Sequence, residues 1–131
     1  MKVITKVVFV VLIITFSINV RAQKSSWVAP KSADTVENPL KDNQNEIKKA
    51  KKLYASMCVI CHGNKGKGDG IAGAALNPKP ANFTSKKVQS QTDGALFWKL
   101  TNGNTPMAAY KDILSEEQRW QLVNYIRTFK K

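Results

Sequence analysis

Cys58, Cys61 and His62 fall within five residues, Cys58-Val59-Ile60-Cys61-His62, and the 131-residue chain holds no other cysteine or histidine. Two thiols three positions apart share one face of a helical turn, so both can reach the vinyl groups on one edge of a porphyrin. The next residue then brings an imidazole to the iron as its proximal ligand. Cys-x-x-Cys-His is the pattern by which a chain captures a haem covalently. One motif implies one haem c per chain, joined by thioethers at Cys58 and Cys61, with its iron on His62.

Other chemistries of the same residues fit less well. A structural zinc site wants four ligands, and two cysteines with one histidine supply three. A redox-active dithiol belongs in a strand, turn, helix and strand context that the flanking residues do not offer. A plain disulfide leaves His62 without a role. The chain shows no Ser, His and Asp set, no carboxylate pair and no distal acid or base, so no enzyme and no small-molecule substrate are expected.

A proximal histidine leaves one side of the iron to be filled or left open. The only methionines are Met1, Met57 and Met107. Met57 immediately precedes the attachment cysteine on the same helix and cannot cross to the opposite face. Met107 remains as the distal ligand, in Thr101-Asn102-Gly103-Asn104-Thr105-Pro106-Met107, where Gly103 and Pro106 shape the loop. A thioether favours reduced iron and raises its potential. Two protein ligands leave no vacant site, and such a centre moves electrons.

The amino terminus reads as an export signal: Lys2 and Lys6, an apolar run from Val7 to Ile18, then Val20-Arg21-Ala22 before Gln23. Cleavage after Ala22 is expected to leave a soluble periplasmic or exported protein, the alternative being an uncleaved membrane anchor. Export suits haem attachment, because free thiols outside the cytoplasm tend to oxidise. Residues 1 to 22 would take Lys2, Lys6 and Arg21 from 21 basic residues, leaving 18 against 9 acidic ones. That excess steers the protein toward acidic partners. Nucleic acid is excluded by export and by the absence of aromatic interleaving among the lysines.

The elements that must position these residues are helical. Residues 23 to 42 are polar, contain Pro30 and Pro39, and read as an arm or linker whose Trp27 either docks on the domain or stays exposed. A single domain follows over residues 43 to 131. Asn43 and Glu46 are spaced as a capping box ahead of Ile47, Ala50, Tyr54, Met57 and Cys58. Gly63 to Gly70 is too glycine-rich for regular structure and reads as a loop over the cofactor edge. Thr92 or Asp93 caps a short helix carrying Leu96, Phe97 and Leu100, ended by Gly103. Ser115 and Gln118 box the last helix, which stripes Leu122, Tyr125, Ile126 and Phe129 along one face. No segment reads as paired strands, so the class is all-α with long loops.

In this order the features resemble the class I, mono-haem c-type cytochrome family over roughly residues 46 to 129. The resemblance rests on Leu53-Tyr54, Cys58-Val59-Ile60-Cys61-His62-Gly63, Gly66 to Gly70, Asn102-Gly103 to Met107, and Trp120 to Ile126. It implies the small cytochrome c fold, with first and last helices crossing around the haem and Ala50 and Tyr54 meeting Leu122 and Tyr125. It also implies a proline carbonyl, of Pro78 or Pro80, holding the other nitrogen of His62. The family's usual order is Met followed by Pro, whereas here Pro106 precedes Met107 and Ala108 follows.

The expected function is single-electron transfer between exported or membrane respiratory redox partners, such as a membrane complex and an oxidase, through acidic docking surfaces. The alternatives are an electron-accepting haem subunit held within a dehydrogenase or respiratory complex, and a gas-binding haem protein if Met107 leaves the iron open. Carbon monoxide binding separates the last of these from the others.

Overall fold

The computed structural model describes residues 27 to 41 and 43 to 131. The expected export signal, residues 1 to 22, lies outside the described residues. Among the described residues, five α-helices follow one another: α1 (Gln44–Met57), α2 (Val59–His62), α3 (Lys86–Gln89), α4 (Asp93–Asn102) and α5 (Glu116–Arg127). Two 3-10 turns, Lys31–Thr35 and Gly73–Ala75, complete the regular structure of the described residues. The described residues form no strand, only an isolated bridge between Asn104 and Met107.

Local chemistry sets the helix ends. The Asn43 side chain accepts from the backbone N–H groups of Asn45 and Glu46, at 3.1 and 3.4 Å, and so starts α1. Only half of the expected box forms. Glu46 does not return to Asn43; its carboxylate takes Lys49 at 2.8 Å and the Gln121 amide at 2.5 Å instead. Thr92, rather than Asp93, caps α4 by accepting from Ala95 at 3.1 Å. The box at α5 is complete: Ser115 accepts from the Gln118 N–H and the Gln118 side chain from the Ser115 N–H.

Helix α1 packs against α5 in the most extensive contact between elements among the described residues. Ala50, fully buried, lets the two backbones approach, and the Tyr54 ring lies 5.0 Å from that of Tyr125. Leu122, Val123 and Ile126 fill the seam. Helix α4 runs antiparallel to α5. Arg127 pairs with Asp93 at one end at 2.6 Å, and Phe97 stacks on Trp120 further along, centroids 3.9 Å apart.

Residues 27 to 41 are not a free linker. Their 3-10 turn packs on α4, where Gly94 leaves room for the carbonyls of Ala33 and Val36 that any Cβ would meet. Asn38 donates from its amide to Asp93 at 2.9 Å and to Asn124 at 2.7 Å. Asn124 in turn donates to the Leu40 carbonyl at 2.6 Å. Trp27 docks as well, its ring 5.3 Å beneath the Lys99 ammonium.

Candidate functional site

Cys58, Cys61 and His62 sit on one tight turn that α1 delivers. Cys58 closes α1 through its N–H to the Tyr54 carbonyl at 2.9 Å and opens α2 by accepting from His62 at 2.8 Å. Neither cysteine is in a disulfide. Burial, with Cys61 alongside, pushes the Cys58 thiol up to about 11. A thiol so raised is protonated near neutrality, the reverse of the depressed attacking thiol of a dithiol oxidoreductase. Among the described residues, no three His, Cys, Asp or Glu side chains gather as a metal-ion cluster.

His62 is buried and oriented. Its Nδ1 lies 3.1 Å from the Ala81 carbonyl, and since a carbonyl can only accept, Nδ1 carries the hydrogen and Nε2 keeps its lone pair. Desolvation lowers the imidazole pKa, partly opposed by the Ala81 bond, so the ring is neutral and fit to ligate at neutral pH. Phe83 stacks on it, centroids 4.3 Å apart and planes 15° from parallel.

The expected proline carbonyl is corrected here. Neither Pro78 nor Pro80 faces Nδ1; Ala81, the residue after Pro80, does. The Phe83 N–H donates to the Gly66 carbonyl at 2.6 Å, which fixes the register of the segment, and the Pro80 carbonyl turns toward Gly68. Pro78 is exposed.

Met107 approaches from the other wall. Helix α4 stops at Gly103, whose φ of +62° and close approach to the Ala108 backbone leave no space for a Cβ. Asn104 and Met107 then exchange two backbone hydrogen bonds, of 3.0 and 2.8 Å, that form the loop. Met107, Cys58 and His62 line one cleft, whose apolar walls are Leu100, Leu122 and Ile126. Tyr54, Phe83 and Tyr110 close it. Met57 is half-buried and does not line it. Cys61 stands half-exposed at the adjoining surface.

The residues present fit a haem: an apolar cleft with the Cys58 thiol in its lining and Cys61 one turn further on, a neutral imidazole with a free nitrogen, and a thioether. Sequence reasoning did not single out Phe83 or Tyr110. A lone aromatic after the Asn77-Pro78-Lys79-Pro80 break was the available signal for Phe83. Burial raises the Tyr110 hydroxyl pKa, with the neighbouring Cys58 and Cys61 thiols adding to the shift.

The comparisons agree with this geometry. The family model described as cytochrome c oxidase, cbb3-type, subunit III matches residues 45 to 126. The structure is similar to a chain of the Kuenenia stuttgartiensis reducing HAO-like protein complex Kustc0457/Kustc0458. That match has 28% identity and a TM-score of 0.63, covering 73% of this chain and 50% of that one. It is also similar to the KustC0563 c-type cytochrome, at 27% identity and a TM-score of 0.54, over 63% of this chain and 98% of that one. The chain thus spans about half the length of the first of these relatives. No curated protein matches it. The fold is the all-α cytochrome c fold, and the chain belongs to the cytochrome c oxidase, cbb3-type, subunit III family of mono-haem c-type cytochromes, electron-transfer proteins carrying covalently bound haem c.

Proposed function

We propose that this cytochrome passes single electrons between exported redox partners, with Cys58 and Cys61 as the thioether residues, His62 as proximal ligand and Met107 as distal ligand. The observation that carries the reading is the cleft shared by Cys58, His62 and Met107, with Nδ1 of His62 committed to the Ala81 carbonyl. The haem, when bound, supplies the one-electron couple. The chain's own part is to hold the imidazole in its ligating tautomer, keep water from the cleft with Leu100, Leu122 and Ile126, and present the Cys61 edge to a partner.

That edge supports docking by an acidic redox protein, a membrane respiratory complex or oxidase among them. Ile60 and Ile71 are 54% and 84% exposed beside it, joined through the Ala72 N–H to the Ile60 carbonyl at 2.9 Å. Lys65, Lys67 and Lys79 are exposed on the neighbouring loops. An apolar centre within a basic rim suits a transient acidic partner and an on-rate that falls with salt. The domain is taken as residues 43 to 131 with the docked arm before it, exported after cleavage at Ala22. No helix among the described residues is long and apolar enough to cross a membrane.

A second reading makes the chain a permanent haem subunit of a larger redox assembly, favoured by its likeness to half of a chain from a multiprotein complex. The test of the main reading is a potentiometric titration of the purified protein after acidic organic extraction of loosely held haem. The expected outcome is one electron per chain with haem retained, and loss of retention in Cys58→Ser with Cys61→Ser. Extraction of the haem from the unmodified protein overturns the reading, and co-purification with a stable partner favours the second.

A further inference from the structure

Gln89 commits both hydrogens of its side-chain amide to carbonyls of two separate segments. Its Nε2 donates to the Phe83 carbonyl at 2.7 Å and to the Ile126 carbonyl of α5 at 2.9 Å. A carbonyl can only accept, so the nitrogen faces this pair and the orientation of the amide is fixed. The remaining oxygen, Oε1, is buried without a hydrogen-bond partner. That oxygen is a cost which an apolar side chain of similar length avoids, so what the amide contributes here is its two N–H groups.

Both carbonyls belong to residues that line the cleft. Phe83 also stacks on the His62 imidazole, centroids 4.3 Å apart and planes 15° from parallel. Two residues earlier, the Ala81 carbonyl holds Nδ1 of the same ring at 3.1 Å. The segment from 81 to 83 therefore meets the imidazole twice, once on its face and once at its edge. Phe83 is held on both sides: its N–H donates to the Gly66 carbonyl at 2.6 Å, and its carbonyl accepts from Gln89. Gln89 is seated by its own backbone, through its N–H to the Ser85 carbonyl at 3.0 Å and its carbonyl to Nη1 of Arg127 at 3.1 Å.

We propose that Gln89 is a positioning residue for the proximal ligand, an amide clamp that holds Phe83 to α5 and so fixes the plane of the His62 imidazole. The inference rests on the reading of His62 as proximal ligand. Without the clamp the ring keeps its bond to Ala81 but loses a fixed Phe83, the parallel surface that resists turning of the imidazole about its Nε2 direction.

The test is proton NMR of the oxidised, haem-loaded protein. The spread of the haem methyl signals reports the plane of an axial imidazole, and hydrogen exchange at Nδ1 of His62 reports how often the Ala81 bond opens. Gln89→Met, similar in length and without N–H groups, is expected to alter the methyl spread and to speed Nδ1 exchange about tenfold, the order that loss of one or two neutral hydrogen bonds supplies. Ser115→Ala is the comparison, since it removes the cap at the opposite end of α5. It lowers the melting temperature, keeps the methyl spread and leaves exchange within about twofold, as distant sites do.

If either signal in Gln89→Met stays as in the unmodified protein, the inference is overturned. Changes of equal size in Ser115→Ala overturn it too, because they mark a general loss of stability. If Gln89→Met does not fold, Gln89→Asn decides: one methylene shorter, it cannot span the two carbonyls, so an altered methyl spread supports the role and an unaltered one removes it. Absence of signals from an iron-bound imidazole in the unmodified protein removes the ligand reading of His62 itself. Such signals with an unchanged Gln89→Met remove only the role of Gln89.

Discussion

Tyr54 donates its hydroxyl hydrogen to the carbonyl of Gly63 at 2.7 Å, in a buried position. One side chain of α1 thereby holds Gly63, nine residues further on, at the turn that leaves His62. The helix that delivers the haem motif also fixes where the motif ends. Tyr54 meets the rings of Tyr125 and Phe129 as well, so the site turn and the helix crossing share a residue.

Tyr54→Phe keeps those ring contacts and removes the hydrogen bond alone. The Gly63 carbonyl, left buried without its partner, is expected to cost about 1 to 3 kcal/mol. Each kcal/mol lowers the melting temperature of a domain this size by about 4 to 8 °C. Calorimetry of the haem-loaded protein reads this directly, and an unchanged melting temperature contradicts the assigned role.

Leu122 is 1% exposed and serves both the α1–α5 seam and the cleft wall. Leu122→Ala should destabilise the fold by about 2 to 5 kcal/mol, because the cavity cannot close without moving α1. Denaturant unfolding gives the value. A cost below about 1 kcal/mol would mean that the site collapses freely.

The arm is a structural strap, and Asn38 is its clasp. Removing its amide in Asn38→Ala leaves Asp93 and Asn124 each one hydrogen bond short, an expected loss of about 1 to 2 kcal/mol. Deletion through Lys41 should lower the unfolding midpoint further, since Trp27 and the Lys31–Thr35 turn leave with it. Equal midpoints for the full and shortened proteins would make the arm a mere tether.

Glu46 gives the fold an acid-sensitive point. The hydrogen bond from Lys49 holds its pKa below the ordinary 4.5, against some desolvation and with help from Gln121. A carboxyl lowered in the folded state binds fewer protons than in the unfolded one, so stability rises with pH across this range. Its contribution is present above 4.5 and fades as pH falls through the folded value. Glu46→Gln should therefore flatten the acid limb of a melting-temperature profile, and an acid limb of unchanged slope contradicts this.

Much of this architecture was legible in the residue pattern, for local reasons. The Ser115 and Gln118 box, the Gly103 stop and the cysteine motif each depend on residues within a turn of one another. The rest depends on distant partners. Glu46 leaves its capping role for Gln121, 75 residues away, and Asn38 finds Asn124 across 86. The carbonyl facing His62 is that of Ala81 because a bond from Phe83 to Gly66 sets the register, which no spacing rule around Pro78 and Pro80 records. Arg119 reads as an ordinary surface charge of a helix until its burial is seen.

The most direct test of the central claim is the optical spectrum of the haem-loaded protein, oxidised and then reduced, with carbon monoxide added last. The account predicts c-type bands on reduction, a thioether-to-iron band in the oxidised form that disappears in Met107→Ala, and no shift with carbon monoxide unless Met107 is removed. A prompt carbon monoxide shift in the unmodified protein, or no bound haem at all, contradicts it.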